Sequence, residues 1–125
     1  MTLLLDTHAL LWWLDDPQHL SKAARKAITD GKNTVYVSTV VVWEIAIKRS
    51  LGKLDAPHDL EGAMASNRFL PLPVTIPHAL AVEMLPGHHR DPFDRLLIAQ
   101  AQYDGFKLVS RDPHVPLYGV PHIVA

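Results

Sequence analysis

Hydrophobic positions along the chain come in two rhythms, short unbroken apolar runs that stop at a polar residue and longer segments with apolar residues three and four positions apart. Thr2–Leu5 is a run of the first kind and ends abruptly at Asp6, the pattern of a strand buried on both faces of a parallel sheet. Val35-Tyr36-Val37, bounded by Asn33-Thr34 and Ser38-Thr39, predicts a second strand from its β-branched and aromatic content. Lys107–Ser110 predicts another, residues 118–124 a short last one, and residues 69–74 an extended, proline-containing piece. Helical spacing covers residues 8–14 up to Asp15-Asp16-Pro17, 22–30 behind a Ser21 N-cap with Gly31 at its end, 40–49 closed by Gly52, 59–67 and 77–85. A last helix begins at an Asp91 N-cap with Pro92 at its first position, where proline is welcome, and runs to Tyr103-Asp104 before Gly105.

Strands alternating with helices imply right-handed crossovers and a mainly parallel sheet covered by helices on both faces. In such sheets ligands bind outside the carboxyl ends of the strands. Four acids stand where that chemistry would gather. Asp6 and Asp112 follow strands. Glu44 lies among apolar helical neighbours, with Val40, Val41 and Ile47 three and four positions away, so its carboxylate is pressed toward the core unless an i,i+4 pair with Lys48 keeps it at the surface. Asp94 sits in the first turn of its helix, on the face continued by Leu97, Ile98 and Ala101; Asp91 is the better cap, which leaves Asp94 free to act as a ligand. Four converging carboxylates repel one another unless a cation neutralises them, and an all-oxygen set suits Mg²⁺ or Mn²⁺.

Composition narrows the choice. With 125 residues, 48% of them hydrophobic, the chain fits one domain over residues 1–125 with one core. It has no Cys, which removes disulfides, thiolate nucleophiles and Cys-zinc sites and fits a cytoplasmic location. No apolar run is long enough to span a membrane, and no signal-peptide pattern opens the chain. The net charge of −1 is not that of a typical nucleic-acid binder, but with four acids set aside in a metal pocket, 12 basic side chains face nine acidic ones.

Four stretches carry a resemblance: Leu3-Leu4-Leu5-Asp6-Thr7-His8, Trp43-Glu44-Ile45-Ala46-Ile47-Lys48, the run from Arg90-Asp91-Pro92-Phe93-Asp94 to Ala101, and Leu108-Val109-Ser110-Arg111-Asp112. In this order and at this length the sequence resembles the PIN-domain nucleases, and within them the VapC-like toxins of toxin–antitoxin pairs. That resemblance implies a three-layer α/β/α sandwich, a Mg²⁺- or Mn²⁺-dependent endoribonuclease, a homodimer, and inhibition by a small cognate antitoxin. It assigns the metal and catalytic roles to Asp6, Glu44, Asp94 and Asp112; beside that assignment, Asp91, Thr7 and Ser110 are expected to support the site. Departures from the family's common pattern are His8, Ser110 and the additional acid Asp91.

Lys48, Arg49, Arg95 and Arg111 flank the acids and are candidate contacts to RNA phosphates, with a solvated, salt-bridged face as the alternative. The eight histidines include no i,i+4 pair, and most are expected at the surface or in loops. Of Trp12 and Trp13, one is expected to face the core. A receiver-like phosphoacceptor domain would need an acid and a lysine at strand ends that this chain lacks, strand two ending in Ser38-Thr39. A haloacid-dehalogenase-like phosphatase would need an acid where His8 stands. A catalytically silent PIN-like domain that only binds RNA or protein is the remaining alternative.

Overall fold

A computed structural model describes residues 1–125. Five strands, β1 (Thr2–Leu5), β2 (Thr34–Ser38), β3 (Leu70–Leu72), β4 (Lys107–Ser110) and β5 (His122–Val124), form one sheet in the order β3-β2-β1-β4-β5, with every pairing parallel. Helices α1 (Thr7–Asp15), α2 (Lys22–Thr29), α3 (Thr39–Ser50), α4 (Leu60–Ser66), α5 (Ile76–Ala81) and α6 (Pro92–Asp104) connect the strands and complete a three-layer α/β/α sandwich. No helix is long and apolar enough to cross a membrane.

The central strand explains the opening apolar run. Leu3, Leu4 and Leu5 have no exposed surface, because β1 has a strand on either side and helices above and below. Leu4 sits level with Tyr36 of β2 and Leu108 of β4, and Leu5 with Val37 and Val109. They belong to a continuous core of 26 buried residues that extends into α1, α2, α3, α4 and α6. The chain builds outward from β1 through β2 to β3, then returns to the other side of β1 as β4. That reversal opens a crevice at the carboxyl ends of β1 and β4, where neighbouring connections diverge to opposite sides. Asp6 is fixed at its edge, since its backbone N–H donates to the Val109 carbonyl at 3.1 Å.

A buried polar link sets the helices that flank this crevice. Ser38 caps α3 by accepting the Val40 N–H at 3.1 Å, and its hydroxyl donates to Gln100 Oε1 of α6 at 2.5 Å. Gln100 is fully buried, so its amide is satisfied from within, by Ser38 and by the Pro73 carbonyl at 3.4 Å. Two helices that each carry an acid are thereby held in a fixed relative position.

Most elements lie where their patterns predict, including the Ser21 and Asp91 caps and the left-handed Gly105 (φ 71°) that ends α6. Two differ. The helix expected over 77–85 divides into α5 and a 3₁₀ turn at Val82–Met84. The last strand is shorter than 118–124, because Tyr118 ends a 3₁₀ turn, Gly119 turns left-handed at φ 69° and Pro121 has no N–H to donate; pairing begins only at His122. Because Leu4 is enclosed on all sides, Leu4→Ala is expected to cost about 2–5 kcal/mol of stability, read from urea denaturation, with the larger values if the cavity cannot collapse.

Candidate active site

The crevice is an open cleft of about 460 Å³ at the carboxyl ends of β1 and β4, and all four predicted acids line it. Each arrives by a different local rule. Asp6 leaves β1 and caps α1, its Oδ1 accepting the Ala9 N–H at 2.8 Å. Glu44 projects from the second turn of α3 and is 5% exposed. Asp94 stands in the first turn of α6, whose cap is Asp91: Asp91 Oδ1 accepts the N–H groups of Phe93 at 2.9 Å and of Asp94 at 3.1 Å. Asp112 lies two residues beyond β4 and takes the His114 N–H on Oδ1 at 2.8 Å.

Glu44 has the expected i,i+4 partner but not the surface position that went with it. Its side chain is buried, and it is also paired at i,i+4, with Lys48 Nζ 2.5 Å from Oε2. Its other oxygen, Oε1, accepts the hydroxyl of the buried Thr7 at 2.5 Å. Thr7 thus reaches Glu44 by a direct hydrogen bond. Ser110, also buried, accepts the Asp112 N–H at 3.1 Å and places its hydroxyl against Asp6.

The acids differ in charge environment. Burial pushes the Asp6 carboxyl up, outweighing the Ser110 hydroxyl and Ala9 N–H that favour its ionised form. Asp94 is pushed up to about 7, by burial first and then by repulsion from Asp91, Glu44 and Asp112, with His89 opposing. Asp112 is also partly buried, but hydrogen bonds from His114 and His89 outweigh that and hold it below the ordinary carboxylate range. Lys48 is raised chiefly by its hydrogen bond to Glu44. Glu44 and Asp112 thus have both oxygens engaged by protein donors. Asp6 meets the Ala9 N–H and the Ser110 hydroxyl, and Asp94 only the ring of His89.

Of the candidate phosphate contacts, Lys48 and Arg111 line the cleft and Arg49 does not. Arg49 reaches the Pro57 carbonyl at 2.7 Å. Arg111 lies over the Trp12 ring, 4.3 Å from its centroid, and donates to the carbonyls of Ala125 and His19. Arg95 corrects the expectation for it. Its guanidinium is enclosed by the loop before α6, donating to the Pro86 carbonyl at 2.9 Å and, at longer range, to the carbonyls of Val82, Leu85 and His89. It clamps that loop and does not face the cleft.

Two histidines in the cleft went unseen in the sequence. His89 Nε2 lies 2.7 Å from Asp112 Oδ2 and 3.0 Å from Asp94 Oδ2, and His114 Nδ1 lies 2.9 Å from Asp112 Oδ1. The only signal was the Asp112-Pro113-His114 spacing, which folds a side chain back onto its own turn. His78 departs from the expected surface or loop placement: it is buried in α5, pairs with Asp104 at 2.8 Å and completes a capping box with Thr75. Trp12 and Trp13 are both half-buried against the core.

A family model described as the PIN domain matches residues 3–120. The chain is 31% identical over 118 residues to Ribonuclease VapC22 of Mycobacterium tuberculosis, covering 89% of this chain and 87% of that one. Its fold is similar to VapBC2 from Rickettsia felis bound to a promoter DNA fragment, with a TM-score of 0.71 at 12% identity over 98% of each chain. It is also similar to DNA-bound VapBC from Salmonella typhimurium, with a TM-score of 0.68 at 14% identity over 99% of this chain and 97% of that one. With a family match over almost all of its length and a relative of this identity, the chain belongs to the PIN-domain family, in which it resembles the VapC ribonucleases.

Proposed function

We propose that the chain is a Mg²⁺- or Mn²⁺-dependent endoribonuclease, acting in the cytoplasm as a single domain and as the toxin of a toxin–antitoxin pair. The observation that carries this reading is the meeting of Asp6, Glu44, Asp94 and Asp112 in one cleft at the switch point of a parallel sheet. The name of the Mycobacterium relative supports ribonuclease activity, and the VapBC neighbours support a small antitoxin as partner. Apolar side chains exposed on and after α5, Ile76, Leu80 and Met84, offer a surface for the expected homodimer.

The donor set fits a hard divalent cation. It is all oxygen, and it holds negative charge that the protein only partly neutralises, since Asp94 is raised to about 7 by burial and by its acidic neighbours. Asp6, at the end of the central strand, and Asp94, with the fewest protein donors, would bind the ion directly; Glu44 and Asp112 would complete the site through water or hold a second ion. When bound, such an ion would make a bound water more acidic and stabilise charge at the phosphate. The chain's own groups do the positioning. Thr7 and Lys48 fix Glu44, Ser110 and the Ala9 N–H fix Asp6, and Asp91 orients the first turn that carries Asp94. Lys48, 36% exposed at the rim, and Arg111 are placed to meet phosphate oxygens of an RNA strand.

Purified protein is expected to cleave members of a panel of tRNA, rRNA fragments and single-stranded RNA with Mg²⁺ or Mn²⁺, and to lose about 100-fold or more of that activity with EDTA or in Asp94→Asn. Near-normal cleavage by folded Asp94→Asn would contradict the assignment. Lys48→Ala is expected to weaken RNA binding and lower the salt-dependence slope by roughly one; an unchanged slope would mean that Lys48 serves only Glu44.

Asp94 also makes stability depend on pH. Its folded pKa of about 7 lies above the ordinary 3.8, so the folded state retains a proton that the unfolded chain releases. That contribution is present in full below the unfolded value and disappears as pH rises through about 7. In EDTA, Asp94→Asn is therefore expected to match the wild type near pH 4 and to exceed it at pH 8 by roughly 1–3 kcal/mol, measured by urea denaturation.

A further inference from the structure

Two side chains in the cleft have no part in the phosphodiester chemistry proposed above. His89 belongs to the loop before α6, with its backbone N–H tied to Tyr118 Oη at 2.8 Å and its carbonyl held by Arg95. His114 follows β4, and its N–H is anchored on Asp112. The two rings lie 4.4 Å apart between centroids. Both address one carboxylate, His89 Nε2 at 2.7 Å from Asp112 Oδ2 and His114 Nδ1 at 2.9 Å from Oδ1. One donor atom from each of the three residues lies within 4.8 Å of the others.

We infer that His89, Asp112 and His114 form a binding site for a borderline transition-metal ion of the Zn²⁺ class, with Asp94 as the fourth donor. A tetrahedral ion with bonds of about 2.0–2.1 Å sets its ligands roughly 3.3 Å apart, and the three donors, already within 4.8 Å of one another, need only small side-chain shifts to meet that spacing. Asp94 Oδ2 is 3.0 Å from His89 Nε2, which brings a second carboxylate oxygen within reach and makes an N₂O₂ set. Two imidazole nitrogens discriminate between ions: Mg²⁺ prefers oxygen and keeps its waters, whereas Zn²⁺ and Co²⁺ take imidazole readily. Asp6 is not needed for this site.

Proton placement is compatible with ligation. His114 coordinates through Nδ1 and keeps its proton on Nε2, on a side chain that is 45% exposed. His89 coordinates through Nε2 and carries its proton on Nδ1, giving up the Asp91 N–H at 3.2 Å, the longest contact of that ring. The site stands on these side chains whether or not RNA is the substrate. One consequence rests on the proposed activity: an ion held here draws on Asp112 and Asp94, so Zn²⁺ opposes cleavage supported by Mg²⁺.

The test is titration of the chelator-stripped chain with Co²⁺, followed by visible absorption, and with Zn²⁺ by calorimetry, on wild type, His89→Ala, His114→Ala and Asp6→Asn. Circular dichroism verifies the fold of each variant. One ion per chain with the absorption of four-coordinate Co²⁺ is expected, weakened about tenfold or more in each histidine variant and unchanged in Asp6→Asn. Wild-type affinity in folded His114→Ala, or equal loss in Asp6→Asn, would overturn the proposal. Parallel titration with Mg²⁺ separates the two readings, since Asp6→Asn should lose Mg²⁺ and keep Zn²⁺. Absence of Mg²⁺ binding in the wild type would count against the nuclease centre alone.

Discussion

Mutual repulsion among carboxylates in a half-buried cleft is the constraint on which the rest of this structure depends. Taking charge out of water is costly, and like charges side by side add to the cost, so such a group persists only where protons, donors or a cation compensate. All three kinds of compensation are visible or implied here. Glu44 is held by Thr7 and Lys48, Asp112 by two histidines and a backbone N–H, while Asp94 is left with a raised affinity for a proton. An acid in that condition gains most from a divalent ion, the occupant proposed for the cleft.

The scaffold makes the crowding possible. A central strand of leucines ends at Asp6, where the strand order reverses, and β4 delivers Asp112 to the same edge from the other flank. The helical acids come from α3 and α6, whose relative placement is fixed by the buried Ser38–Gln100 hydrogen bond. Capping acts twice as a positioning device, since Asp6 is both the end of β1 and the cap of α1, and Asp91 caps the turn that presents Asp94. Arg95, by gathering the carbonyls of the preceding loop, holds His89 over the acids.

Much of this was legible in the chain because it depends on local rules. The abrupt end of Leu3-Leu4-Leu5 at Asp6, a glutamate set among valines and isoleucines, and the Asp91-Pro92 start of a helix each follow from burial, periodicity or capping alone. Their meeting in one cleft follows from parallel topology. The histidines were not legible in that way. His89 and His114 lie in irregular segments where no period applies, and they reach the acids through the paths of two loops. Arg95 was misplaced for a related reason: a charge pattern records that a guanidinium is near acids but not which carbonyls a loop will turn toward it. The C-terminal strand fell short because Gly119 and Pro121 override the apolar run around them.

The central claim is that the clustered acids hold a divalent cation, with Asp6 and Asp94 in direct contact. Anomalous scattering from crystals grown with Mn²⁺ tests it most directly. A single strong peak about 2.0–2.3 Å from oxygens of both Asp6 and Asp94, absent in Asp94→Asn crystals, is the expected result. A cleft without a peak at saturating Mn²⁺, or a peak that persists unchanged in Asp94→Asn, would contradict it.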